Sequence, residues 1–310
     1  MQLRRTTEAE ASPFIHGTNV QFAYDSTSLG WLKTCPELYR LSMIEGYQGK
    51  GENVHLRFGI EYHRTLGDYD FAKAEGLKHD ACVDRAVEKL IDRLDDWNPD
   101  HKVKNRKNLF RSVIWYMDEY RNDPCQTLIL DNGKPAIELS FKFELDYGPY
   151  GGQRYVMAGH LDRVVKYNND LYVMDRKTTG TIPSASFFNR FEPDNQMTIY
   201  TIASQIILHT PVKGVIIDAA QVAITFTRFA RGFTFRTQAQ MDEWMIDLSY
   251  WLTLAKSYAE TGRWPHNDTA CDKYGGCRFR EICNKDPQVR PMFLKGDFEK
   301  GEKWNPLKPR

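Results

Sequence analysis

The chain has 310 residues, 41% hydrophobic and 27% charged, the balance of a globular protein and not of a disordered or fibrous one. Its 42 Lys and Arg against 41 Asp and Glu leave a formal charge of +1, which excludes a globally basic nucleic-acid coat and confines any anion-binding surface to a local patch. No apolar run reaches the roughly 18 residues of a membrane span, and the opening MQLRRTTEAEAS has no apolar core of a secretory signal. The expectation is a cytoplasmic protein without a membrane partner, its six cysteines kept as thiols in a reducing compartment.

Residues 26–45 (STSLGWLKTCPELYRLSMIE) predict a helix that starts at Ser26 or Ser28 and is interrupted by the Cys35-Pro36 step. His55, Phe58, Ile60, His63 and Leu66 recur at roughly helical spacing over 54–70, and 79–98 and 104–121 read as two amphipathic helices. The period then changes. Residues 136–147 alternate as a half-buried strand does, and 154–167 and 170–176 read as two strands joined by an Asn168-Asn169 turn. A helix follows from about Asp194 to Leu208, with Pro193 at its entry, then a hairpin over 214–226 and 230–237. A long helix over 238–262 closes at Gly262. Helices followed by a β-β-β-α-β run predict an α/β core with a helical N-terminal elaboration.

The chemistry concentrates in the middle of the chain. Asp162 stands in GHLDRV, Asp175 and Lys177 in VMDRKTT, and Gln196 and Tyr200 in QMTIY. Residues two apart on a strand face one side, so Asp175 and Lys177 point together and Asp162 on a paired strand can converge on them. Gln196 and Tyr200, four apart, share one helix face. Carboxylate oxygens suit Mg²⁺ or Mn²⁺, with the peptide carbonyl of Arg176 as a further ligand. Such an ion polarises a phosphoryl oxygen and lowers the pKa of a bound water, while an ammonium offsets developing negative charge.

GHLDRV, VMDRKTT and QMTIY together resemble the core motifs and following helix of the PD-(D/E)XK nuclease superfamily, and more closely its RecB-like branch. That branch includes the nuclease domains of RecB and AddB, CRISPR-associated exonucleases and phage exonucleases. FGIEYHRTL resembles the branch's N-terminal G-x-x-x-H helix motif, and SLGWLKTCPELYRL its opening segment; the likeness spans roughly residues 26–283. The resemblance implies a restriction-endonuclease-like α/β fold with a mixed central sheet flanked by helices. It implies one nuclease domain over 1–310: a helical part (26–125), a catalytic core (136–262) and a Cys-rich clasp and tail (263–310). It implies that His63, Asp162 and Asp175 bind metal, that Lys177 is the catalytic lysine, and that Gln196 and Tyr200 line the site. Glu138, in AIELSF, falls where the family often carries a glutamate.

Cys271, Cys277 and Cys283 are each separated by five residues, and Cys35 lies far upstream. By the resemblance these four thiolates hold a [4Fe–4S] cluster that ties the two ends of the chain together. The family's commoner spacing is shorter, so Zn²⁺ in a Cys₄ site or free thiols remain alternatives. Cys82 and Cys125 read as small buried apolar side chains. HKVKNRKNLFR (101–111), with Lys102, Lys104, Arg106 and Lys107, is the strongest basic run. With Arg228 and Arg231 flanking a turn at 226–232, and Arg278 and Arg280 in the cysteine segment, it reads either as solvated surface or as a phosphate track. Phe187, Phe188 and Phe191 read as core, with base stacking as the alternative. The sequence contains no P-loop motif, so any helicase or recombination partner is a separate protein. The reading is a Mg²⁺-dependent exonuclease on single-stranded DNA ends, in a bacterial or phage-infected cell, associated with the nucleoid. A structure-specific or nicking endonuclease and a silent DNA-binding module are the alternatives.

Overall fold

The computed structural model describes residues 12–272 and 275–308; the opening MQLRRTTEAEAS, without the apolar core of a secretory signal, lies almost wholly outside them. In chain order the elements are β1 (Ala23–Tyr24), α1 (Ser26–Thr34), α2 (Pro36–Tyr39), β2 (Tyr47–Gly49), α3 (Val54–Ala74), α4 (His79–Arg93), α5 (Arg106–Glu119), β3 (Gln126–Thr127) and β4 (Ile137–Glu144). There follow β5 (Val156–Tyr167), β6 (Asp170–Thr179), α6 (Ala185–Asn189), α7 (Asn195–Leu208), β7 (Gly214–Val222), β8 (Thr227–Thr234) and α8 (Gln238–Thr261). Two short helices, α9 (Arg280–Cys283) and α10 (Arg290–Asp297), and strand β9 (Phe298–Lys300) follow. The fold is mixed α/β, and the described residues form two compact units to which β4 and β5 both contribute.

One unit comprises Glu52–Ser140 and His160–Thr237. Its sheet is mixed: β6 pairs antiparallel with β5 and parallel with β7, β7 pairs antiparallel with β8, and β3 pairs antiparallel with β5. A parallel pair needs a crossover, and α6 and α7 supply it between β6 and β7. Asp194 caps α7 by accepting from Met197 N at 3.0 Å, one residue after the Pro193 expected at the entry. Phe58, Tyr62, Leu66 and Tyr69 of α3 pack against Cys82, Ala86 and Leu90 of α4 and Leu109, Val113 and Tyr116 of α5. Glu61, fully buried on α3, holds Arg93 of α4 at 2.8 Å. Phe187 and Phe191 are also buried, as core residues are.

The other unit comprises Met1–Gly51, Phe141–Gly159 and Gln238–Arg310, described within the bounds given above. β1 lies parallel to the start of β5, through Ala23↔Val156 and Tyr24↔Met157. Asp25 caps α1 in a reciprocal capping box with Ser28 and also accepts from Trp304 Nε1 at 2.7 Å, which fastens the tail to the start of that helix. Leu41, Phe279, Ile282 and Leu294 form a small core beneath α9 and α10.

The β5–β6 hairpin turns through Asn168 and Asn169, whose φ angles of 48° and 67° match a two-residue turn with both central residues left-handed. Asparagine tolerates this region and β-branched residues do not. Asn169→Val should lower stability by about 1–2 kcal/mol in urea unfolding, whereas Asn169→Gly should leave it unchanged or higher. Equal midpoints for the two variants would show that this turn does not constrain the hairpin.

Candidate active site

The ladder between β5 and β6 runs from Tyr167↔Asp170 to Arg163↔Met174 and stops there. One step further, Asp162 and Asp175 would be opposite partners. Instead the strands part, and the Asp162 carboxylate (Oδ2) accepts the backbone N–H of Arg176 at 3.1 Å, taking over a donor that the ladder has released. Two carboxylates are thereby placed side by side at a fork in the sheet, one 5% and the other 1% exposed.

Each carboxylate has a basic neighbour. His63 of α3 lies with Nδ1 3.1 Å from Asp162 Oδ2. Lys177 shares a strand face with Asp175, with Nζ 2.8 Å from Oδ2 and a hydrogen bond to Oδ1 at 3.1 Å. Asp175 Oδ2 is buried and receives no directed hydrogen bond. Lys177 Nζ also donates to Gln196 Oε1 at 2.8 Å, and Gln196 Nε2 donates to Tyr200 OH at 2.9 Å. The i, i+4 pair on α7 thus buttresses the lysine.

Burial opposes ionisation of Asp162, but the His63 imidazole, Lys177 and the Arg176 N–H outweigh it and hold the carboxyl well below its usual range. At Asp175 burial dominates; Lys177 pulls the value down, the Asp162 charge pushes it up, and the carboxyl is raised to about 6. Burial works against the Lys177 ammonium too, and the Asp175 carboxylate outweighs it, so Lys177 titrates above the ordinary lysine value. At neutral pH the lysine is therefore a fixed positive charge and not a base.

The sequence profile of the PD-(D/E)XK nuclease superfamily matches residues 26–284. The chain belongs to that superfamily. Among solved structures, a candidate exonuclease from Eubacterium rectale is 12% identical and aligns over 94% of this chain and 98% of its own, with a TM-score of 0.50, a likeness of fold. The structure of SSO0001 is 11% identical, covers 77% of this chain and 79% of its own, and has a TM-score of 0.30, too low to bear on the fold. No curated protein matches the chain.

PD-(D/E)XK nucleases generally use divalent metal ions. The donor set at the fork fits one: two carboxylates, an imidazole, and a buried Asp175 oxygen without a directed donor. Among the described residues no three His, Cys, Asp or Glu side chains are already drawn together as a metal cage. Here the carboxylates turn to His63 and Lys177.

In the unit that contains α1 and α9, Cys35, Cys271, Cys277 and Cys283 line one cavity of about 430 Å³. Burial, then Glu37 and the Cys277 and Cys35 thiols, push Cys283 up to about 11; burial and the same two thiols also raise Cys271. Cys82 and Cys125 are buried elsewhere.

The basic residues are scattered. Lys102 and Lys107 are exposed, and Arg106 leans over Phe110. Arg278 is exposed near Trp31, and Arg280 is paired with Asp272. The turn expected at 226–232 lies earlier, closed by Ala223 N donating to Phe226 O at 3.0 Å, so Arg228 and Arg231 both belong to β8. Arg231 turns inward to Asp123 and Asp218 and is unavailable to a phosphate track. Lys104 is 5% exposed, with Nζ 4.2 Å from the Phe58 ring centre and no hydrogen-bond partner. Asp70, Asp218, Arg163 and the Arg176 side chain escaped the sequence reading. A signal was present at Asp218, an aspartate inside the apolar run GVIIDAAQV, because a buried charge requires partners.

Burial lowers the Lys104 pKa to about 8. A lysine titrating lower in the folded chain than in the unfolded one costs stability in full at neutral pH, and the cost disappears as pH rises through the unfolded value. Allowing for the Phe58 ring, Lys104→Met should gain roughly 2 kcal/mol at pH 7 and almost nothing near pH 10.5. A gain that is flat with pH would mean that Lys104 pays no charge burial.

Proposed function

We propose that this chain is a Mg²⁺- or Mn²⁺-dependent deoxyribonuclease of the RecB-like branch, acting as an exonuclease on single-stranded DNA ends. The reading rests above all on one observation: Lys177 bridges Asp175 and Gln196 beside the Asp162–His63 pair, where β5 and β6 part. Asp162, Asp175, His63 and the Arg176 carbonyl would hold the ion. Bound there, the ion supplies Lewis-acid polarisation of the phosphate and a water of lowered pKa.

The rest is the work of side chains. Lys177, held protonated by Asp175, places a fixed positive charge where negative charge develops on the phosphate. Gln196 keeps the ammonium from swinging away, because its Oε1 accepts from Lys177 while its Nε2 is anchored on Tyr200. Asp162, ionised and hydrogen-bonded to the β6 backbone, fixes the spacing between the strands on which both carboxylates stand.

The same proposal assigns Cys35, Cys271, Cys277 and Cys283 to a [4Fe–4S] cluster, with Zn²⁺ as the alternative occupant. Its support is that the four thiols line one cavity and that, beside burial, the Cys277 and Cys35 thiols raise the pKa of Cys271 and Cys283, a repulsion that a bound metal centre relieves. It also places the protein in the cytoplasm, with any helicase or recombination protein as a separate partner.

The test is digestion of end-labelled linear and circular single strands with Mg²⁺ or Mn²⁺, using protein purified anaerobically. The linear strand should be degraded and the circle spared. A cut circle would make the protein an endonuclease, and no cleavage of either would leave a DNA-binding module. Asp162→Ala and Asp175→Ala should each lower turnover by about a thousandfold with DNA affinity retained, and Lys177→Ala should lower kcat far more than it raises KM. Near-normal turnover in either aspartate variant would remove the metal assignment.

A further inference from the structure

Strand alternation sends the immediate neighbours of the site residues to the other side: Arg163 follows Asp162, and Arg176 stands between Asp175 and Lys177. Both guanidinium groups are buried, at 5% and 2% exposure, and both reach Asp70 of α3. Arg176 contacts Asp70 Oδ2 at 2.5 Å, and Arg163 lies 3.4 Å from Oδ1. The contacts continue. Arg163 lies 3.6 Å from Asp123 and donates to Cys125 O at 2.8 Å and Thr127 Oγ1 at 2.9 Å. Arg231 holds Asp123 at 2.7 Å and Asp218 at 3.2 Å, Arg176 Nε lies 4.0 Å from Asp218, and Tyr116 donates to Asp218. Three arginines and three aspartates thus form one buried, formally neutral network.

Three of its members, Asp70, Arg163 and Arg176, sit on elements that carry the candidate site. α3 bears both His63 and Asp70, β5 both Asp162 and Arg163, and β6 Asp175, Arg176 and Lys177. Beyond the last ladder pair no regular β5–β6 hydrogen bonds fix the fork. A buried ion network is an expensive way to stabilise a core, because apolar packing of the same volume serves as well or better. What it adds is geometry: a guanidinium donates to carboxylates only along fixed directions.

Resting on the nuclease reading above, we propose that Asp70 and Arg176 are positioning residues, which set the spacing of α3, β5 and β6 so that His63, Asp162 and Asp175 meet one divalent ion. Their side chains touch neither substrate nor ion and act through the residues beside them. Arrangements of this kind, behind metal ligands, carry effects of about 10- to 100-fold on affinity or activity.

Two variants separate positioning from simple stabilisation. Asp70→Asn leaves buried positive charge uncompensated and should lower both the thermal midpoint and Mn²⁺ affinity. Asp70→Leu combined with Arg176→Met removes a balanced pair and should recover the midpoint towards that of the unaltered protein. On the proposal, this double variant still binds Mn²⁺ at least about tenfold more weakly in an electron paramagnetic resonance titration, with kcat reduced by a similar factor and KM for DNA within about twofold. Recovery of Mn²⁺ affinity together with the midpoint would overturn the proposal. If the double variant does not fold, a folded Asp70→Asn protein with unaltered Mn²⁺ affinity overturns it equally. If the unaltered protein binds Mn²⁺ but cleaves no DNA, the nuclease reading fails while the Mn²⁺ affinities still decide the positioning role. If it binds no Mn²⁺, both fall.

Discussion

Two buried carboxylates side by side are the constraint on which this site turns. Like charges at that depth repel, and neither Asp162 nor Asp175 would stay ionised without a cation near it. In this structure the Lys177 ammonium pairs with Asp175 and the His63 imidazole lies against Asp162, and Asp175 is still left with a raised pKa. The fork between β5 and β6 opens at these residues, one step past the last ladder pair. Asp162, by bonding the released N–H of Arg176, converts the fork into a fixed feature. Sheet geometry, charge and chemistry are coupled at one place.

The grouping of side chains at the fork was legible because its spacings are local. Asp175 and Lys177 obey the period of a strand, Gln196 and Tyr200 that of a helix, and the hydrogen bonds Lys177–Gln196 and Gln196–Tyr200 express both periods at once. The Asn168-Asn169 turn was legible for a similar reason, since few residue pairs accept two left-handed conformations. Helix ends shifted by a few residues, as α4 does in stopping at Arg93 and not at 98.

What was not legible depends on partners far away in the chain. Arg231 and Lys104 read as surface charges because nothing adjacent announces Asp123, Asp218 or Phe58 as neighbours. Asp70 shows the same limit, its contacts with Arg163 and Arg176 spanning about a third of the chain. The four cysteines fall between these cases: three are grouped by spacing, and only the fold brings Cys35 to the same cavity.

On the proposed reading, the carboxylates of Asp162 and Asp175 at the fork bind a divalent metal ion. An anomalous difference map from crystals of the unaltered protein grown with Mn²⁺ tests it most directly. One strong peak bounded by Asp162, Asp175 and His63 is expected, absent from Asp162→Asn crystals. A protein that cleaves DNA with Mn²⁺ yet shows no peak at the fork, or shows the same peak in the variant, would contradict it.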